Sequence, residues 1–285
     1  MSAIALRSPE SRITPGRIAL WIGVLVAAVI WAIPVVFMLF TSLKTQAAIF
    51  STSAFAPPPQ LAWSNYPDAI RQGNLLNVAK NSAIIALVKV PLGLLVSSMA
   101  AFALARLRVP WGQALLTLLV LGTMVPIQVA LAPLFRIVLS LGLLNTYPGV
   151  ILPYLAFGIP YQIFILYGFL RAIPRELDEA ARIDGTNNFQ LYWRVILPLA
   201  RPALAALFIL DFVATWNEFA IALVILQSKD AWTVPLGLQG FNTQFSSSYG
   251  PLTAAIAMSI LPVLAVYLLF QKYFVEGTFA GAVKG

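Results

Sequence analysis

Six long apolar runs, each parted from the next by a short polar break, constrain this chain more than any other feature of its sequence. They lie at about Ile18 to Phe40, Val78 to Leu104, Ala114 to Val138, Gly149 to Leu170, Ala203 to Leu226 and Leu252 to Phe274. A helix needs roughly 20 apolar residues to cross a bilayer, whereas a strand of a membrane barrel needs only about 9 to 11. Every run meets the first length and far exceeds the second. The sequence therefore predicts an all-α integral membrane protein of six transmembrane helices. With 60% hydrophobic and 10% charged residues the chain falls outside the range of soluble domains. Its first run is too long for a signal-peptide core of about 7 to 15 residues, so it reads as an uncleaved span.

Charge placement orients the spans. If the N-terminus is cytoplasmic, twelve basic residues fall inside and four outside, with Lys80 and Lys89 left at or within the second span. That asymmetry favours both termini inside. It also explains the net charge of +8 without nucleic acid. Residues 1–17 and 275–285 are then cytoplasmic tails around a membrane domain at 18–274. The chain has no Cys and no His, which excludes disulfides, thiolate or imidazole metal sites and His-based acid/base catalysis.

One connection breaks the apolar pattern. Between spans four and five, residues 171–202 hold Arg171, Arg175, Arg182, Arg194 and Arg201 together with Glu176, Asp178, Glu179 and Asp184. Pro174 suits the first turn of a helix, and Gly185 suits the left-handed residue that ends one. About three turns of helix are expected between them. Glu176 and Asp178 would sit near its positive end, and Asp178 and Arg182 are spaced for an i,i+4 pair. Leu177, Ala180 and Ala181 are expected on one face, where two alanines let another protein's backbone come close. A second short helix is expected from about Asn188 to Leu197, stopping at Pro198.

The run Glu179-Ala180-Ala181, three residues, Gly185, nine residues, Val195-x-Leu197-Pro198 resembles the cytoplasmic loop of ABC importer permeases, with Val195 where the family motif has Ile. "WNEF" at Trp216 to Phe219, "NYPDAI" at Asn65 to Ile70 and the closing "GAVKG" extend the resemblance over nearly the whole chain, to the carbohydrate-uptake branch typified by the maltose permease. The resemblance implies a non-enzymatic subunit of a bacterial or archaeal plasma (inner) membrane importer, paired with a second permease subunit among membrane lipid. A coupling helix would dock on a cytoplasmic ABC ATPase dimer that holds the ATP and Mg. An extracellular or periplasmic solute-binding protein would deliver a sugar or oligosaccharide. Carried over by position, Glu179, Ala180, Ala181, Gly185, Leu197 and Pro198 would form the ATPase coupling site. No Gly-x-x-x-x-Gly-Lys-Ser/Thr cradle for nucleotide phosphates occurs in the chain, so the energy source lies on another chain or is an ion gradient.

Other features carry weaker signals. Residues 55–70 contain three successive prolines and read as a stiff extended spacer. Residues 238–250 mix polar and aromatic side chains and read as either a mobile connection or a contact surface, in which case Phe241, Asn242, Phe245 and Tyr249 are candidate contacts for the binding protein. Asp211 and Glu218 fall in the fifth span at depths of about 12 and 22 Å from Ala203. They are costly in lipid and should face protein or water. Trp216, Asn217 and Glu218 offer an aromatic platform and hydrogen-bonding groups suited to a sugar path, with structural bonding as the alternative. Pro126, Pro133, Pro153 and Pro160 are hinges or static kinks. The competing class is an ion-coupled secondary transporter, against which stand the scarcity of intramembrane ionisable groups and the loop motif.

Overall fold

The computed structural model describes residues 15–241 and 248–282, with the side chains of the last helix described as far as Lys272. In chain order it contains α1 (Pro15–Ser42), α2 (Gln46–Ser51), α3 (Asn65–Gln72), α4 (Leu75–Arg106), α5 (Gly112–Thr123), α6 (Ile127–Ser140), α7 (Tyr147–Ala172) and α8 (Glu176–Ile183). There follow α9 (Asn188–Leu199), α10 (Arg201–Trp216), α11 (Ala220–Ile225), α12 (Val234–Gln239) and α13 (Tyr249–Ala282). No strand occurs among the described residues.

Four helices, α1, α4, α7 and α13, are long and apolar enough to cross a membrane, and the number rises to six if each of two bent pairs is one span. The bends correct two of the runs expected as continuous helices. The third run breaks between α5 and α6 by 96°. Pro126 caps α6 there, and a proline pushes the residue before it out of helical conformation. The fifth run ends early, at Trp216, and resumes only at Ala220. At its other end α10 turns 72° from α9 beside Pro202. Pro133 lies inside α6, and Pro153 and Pro160 lie inside an uninterrupted α7.

Helices α4 and α7 form the central pair. A Cβ at Gly93 would lie 3.2 Å from the Gln162 Oε1 and 3.3 Å from Leu155, and the Ser97 hydroxyl donates to that same Oε1 at 2.7 Å. Small residues that let backbones approach, and side-chain bonds between helices, do in lipid what apolar burial does in water. Helix α10 packs on α13 and α4, while α1 leans on α13 and has no buried residue in its most apolar stretch.

The two ends of this bundle differ. At one, the Asn65 amide donates to the Ser42 and Lys44 carbonyls, and the Asn81 amide donates to the Asp230 and Trp232 carbonyls. The Asn145 side chain accepts from the Ser228 N–H at 2.7 Å. Asparagine thus ties together the loops that lack a ladder of their own. The expected extended spacer is only partly so, because Asn65–Gln72 is helical. The opposite end carries Arg106 and α8.

Candidate functional site

Helix α8 starts two residues later than expected, with Pro174 just outside and Arg175 as N-cap. Its end follows the glycine. Gly185 has φ +78°, its N–H reaches the Arg182 carbonyl, and the Thr186 N–H reaches the Ala181 carbonyl, the paired bonds of a Schellman cap. The expected Asp178–Arg182 pair does not form. Asp178 turns inward to Arg106, whose Nη1 lies 3.4 Å from Oδ2 and whose Nη2 donates to the Leu170 and Ile173 carbonyls at 2.7 and 2.8 Å. Arg106 at the buried end of α4 is shielded from water, so its attraction for Asp178 is screened less than that of the exposed Arg182. Arg182 bonds the Asn188 side chain instead.

That inward turn also splits the expected alanine face. Ala181 is buried with Asp178, whereas Leu177, Glu179, Ala180 and Ile183 are exposed. Glu179 lies with Arg106, Arg108, Arg175 and Arg182 around a polar hollow of ≈ 650 Å³ and has no ion-pair partner among the described residues. Helix α9 starts with a reciprocal capping box between Asn187 and Gln190. It does not stop at Pro198. Leu191–Ile196 is π-helical, with the Leu197 N–H bonded five residues back to Tyr192, and the widened turn carries the chain through Leu197 and Pro198 to Ala200. Leu197 and Pro198 are half-buried. The Tyr192 and Ser98 hydroxyls, 2.7 Å apart, fasten α9 to α4.

The second polar region lies inside the bundle. Lys89 on α4 and Asp211 on α10 form a buried ion pair. Gly158 on α7 makes room for it, since a Cβ there would sit 2.9 Å from the Lys89 Nζ. Glu218 stands at the break after α10 rather than within a span. It accepts from the Ile221 and Ala222 N–H groups at 2.9 and 3.2 Å, so it caps α11, and it also accepts from the Tyr154 hydroxyl.

Trp216, Asn217 and Glu218 are not brought to one surface. Trp216 is buried, stacks on Phe212 and donates its indole N–H to the Ser259 carbonyl on α13 at 3.1 Å. Asn217 is exposed and bonds back to the Val213 carbonyl. Only Glu218 shares a cleft with Lys89, Tyr154, Asp211 and Thr215.

Of the loop candidates, Phe241 is buried against Gly73, where a Cβ would meet its ring at 2.7 Å. Tyr249 is exposed and meets Phe50 edge-on at 5.7 Å. Asn242 and Phe245 lie outside the described residues.

Sequence reasoning passed over Arg106, Tyr154 and the pairing of Lys89 with Asp211. The last was open to it. Lys89, deep in the second run, and the acidic residues of the fifth are best satisfied by each other, although Glu218 competed with Asp211 for the part. Arg106 carried no such signal, because a basic residue at the end of a span is ordinary topology.

A family model described as "Binding-protein-dependent transport system inner membrane component" matches residues 90–279. The chain is 35% identical, over 86% of its length and 82% of the relative's, to a diacetylchitobiose uptake system permease protein of Streptomyces coelicolor. It is 34% identical to a sulfoquinovosyl glycerol transport system permease protein of Agrobacterium fabrum, with both chains covered completely. Among solved structures it resembles a chain of a bacterial ABC transporter involved in the import of the acidic polysaccharide alginate, with TM-score 0.76, 25% identity and coverage of 94% of this chain and 98% of that one. The family match spans α8 with its Schellman cap, the π-helical α9 and the bent α10, and on it the chain belongs to the family of binding-protein-dependent transport system inner membrane components.

Proposed function

We propose that this chain is a permease subunit through which an ATP-driven importer moves a sugar or oligosaccharide delivered by a solute-binding protein. The observation that carries the reading is the mounting of α8. Its C-terminus is closed by the Gly185 cap, and Asp178 on its inner side is held by an arginine that also grips the end of α7. A short stiff helix clamped to two long ones transmits displacement rather than absorbing it. Glu179 and Ala180 are then the surface offered to the ATPase. Ala181 and Gly185 mount that surface, and Leu197 and Pro198 carry the motion round the bend into α10.

The remaining assignments follow from that one. The twelve-to-four charge asymmetry puts residues 171–202 and both tails, 1–17 and 275–285, in the cytoplasm, around a six-span domain at 18–274. ATP and Mg belong to the partner ATPase dimer. The bare face of α1 suits lipid and a second permease subunit. Tyr249, which is exposed, contacts the solute-binding protein on the far side. Asn217 and Glu218 border the substrate path, and Trp216 braces them from behind.

Glu179→Lys tests the reading. Membrane insertion should be unchanged, while co-purification of the ATPase or coupling of hydrolysis to uptake in vesicles should fall. Normal association together with normal coupled uptake would remove α8 from the docking role. In this Cys-free chain, labelling of Thr186→Cys by an impermeant reagent outside intact cells would overturn the orientation.

A further inference from the structure

Between α4, α7 and α10, beside the break at Asn217, lies a cleft of ≈ 180 Å³ whose polar lining is Lys89, Tyr154, Asp211, Thr215 and Glu218. Two of its polar atoms have no partner. The Asp211 Oδ2 and the Thr215 Oγ1 make no hydrogen bond, although their residues are only 9% and 8% exposed. Thr215 stands apart from the other described threonines within helices. Thr41, Thr117 and Thr253 each bond the carbonyl four residues back, the usual resort of a helical threonine, and Thr215 does not. Buried polar groups left in this way weaken a fold, and a native one calls for an explanation.

We propose that this cleft is a saccharide subsite on the chain, taking a neutral, hydroxyl-bearing sugar unit and disfavouring an acidic one. The proposal rests on the reading of the chain as a sugar permease and adds the substrate class. Glu218 is already an acceptor for the Tyr154 hydroxyl and two backbone N–H groups, and Lys89 is engaged by Asp211. What remains is an acceptor on Asp211 and a hydroxyl on Thr215, which can donate or accept. A sugar hydroxyl can donate to the first and accept from the second. Phe157, Ile127 and Ile221 complete the wall and suit the C–H face of a sugar ring. One cation stands against two carboxylates, so a ligand carboxylate would meet net negative charge where water screens it poorly. The shared fold does not decide this, since the similar alginate importer handles an acidic polysaccharide. The side chains decide it.

The first test uses Thr215→Val in the full transporter. The change is nearly isosteric and removes a hydroxyl that has no partner in the protein. The thermal midpoint of the purified complex should be unchanged or raised, while neutral saccharide uptake falls about five- to tenfold, the range of one hydrogen bond. Native uptake, or an uptake loss no greater than the loss of folded protein, would overturn the proposal. Native cells should take up members of the neutral set (diacetylchitobiose, trehalose, maltotriose), and alginate or galacturonate trimers should enter at least about tenfold more slowly. Entry of an acidic trimer at the neutral rate also overturns it, whereas entry of no sugar at all counts against the sugar reading.

A second test needs no sugar and no partner. Thr215→Cys supplies the only thiol in the full chain, in nanodiscs. A hydroxyethyl methanethiosulfonate should label it about tenfold faster than the sulfonate reagent of similar size, and adding Glu218→Gln should narrow that gap. Equal rates for the neutral and anionic reagents would overturn the subsite while leaving the permease reading standing.

Discussion

Helix α4 carries two buried cations, Lys89 along its length and Arg106 at its end, and their burial is compensated in different ways. Lys89 is a point charge with one carboxylate partner, Asp211, buried inside the bundle beside a small cleft. Arg106 spreads its fork over Asp178 and two backbone carbonyls at the rim of the bundle. The first arrangement joins two helices through a single contact that fails as a unit. The second joins three elements through several contacts and survives the loss of any one. Position decides which is tolerable. A single-partner ion pair persists inside the bundle, where little water competes, and a divided one is needed where α8 has to be held against an exposed surface.

The largest predicted effect comes from splitting the inner pair. Asp211→Leu leaves the buried Lys89 ammonium without its ion-pair partner, and Glu218 is already engaged elsewhere, so the change should cost about 3 to 5 kcal/mol. Thermal unfolding in detergent, read by fluorescence-detected size exclusion, should show most of the protein lost. The double variant Lys89→Met with Asp211→Leu should recover to within about 1 kcal/mol of the native chain, since a well-packed apolar pair commonly replaces a buried ion pair without penalty. A mild effect of the single variant would erase the contrast between the two clusters.

Asp178→Ala should do less to stability and more to coupling. Arg106 keeps its two carbonyl acceptors, so about 1 to 2 kcal/mol is at stake, between the worth of an exposed ion pair and the cost of a buried charge left with no partner. Helix α8 loses its inner tether, however. ATP hydrolysis by the reconstituted transporter should continue while uptake per ATP falls. A stability loss equal to that of Asp211→Leu would mean that the carbonyl contacts contribute little and that the two clusters are alike.

How far the sequence reveals each cluster follows from the same contrast. Run length alone shows the membrane helices, because the bilayer imposes one length on them. It does not show the bends at 124–126 and 217–219, since a lone Pro126 in an apolar run and the pair Asn217 and Glu218 between apolar segments are each compatible with a continuous span, and only the backbone geometry shows the breaks. Gly185 announces the end of α8 through its own chemistry. Asp178 misleads, because spacing on a short helix points to Arg182 while the stronger partner comes from a helix about seventy residues earlier. Trp216 misleads likewise. Nearness to Glu218 suggested a shared surface, but side chains two residues apart on a helix point about 200° apart and the helix ends between the two residues.

The smallest effect isolates the cap of α8 from both clusters. Gly185 has φ +78°, and a Cβ built there meets nothing within 4 Å. Any penalty at this position is therefore conformational and not steric crowding by neighbours. Alanine should cost about 1 kcal/mol, the usual penalty for a left-handed residue with a Cβ. Asparagine should cost less, and the chain already places Asn74 at φ 45° and Asn145 at φ 58°. Valine should cost most, because a branched Cβ is poorly accommodated at positive φ. The readout is amide exchange at Gly185 and Thr186, whose N–H groups make the two cap bonds. Exchange should speed up in the order Asn, Ala, Val while the α4 amides around Lys89 stay unchanged. An order that follows side-chain volume, with Asn as harmful as Val, would show that the surface around Gly185 is crowded and that the left-handed turn is not what holds the end of α8.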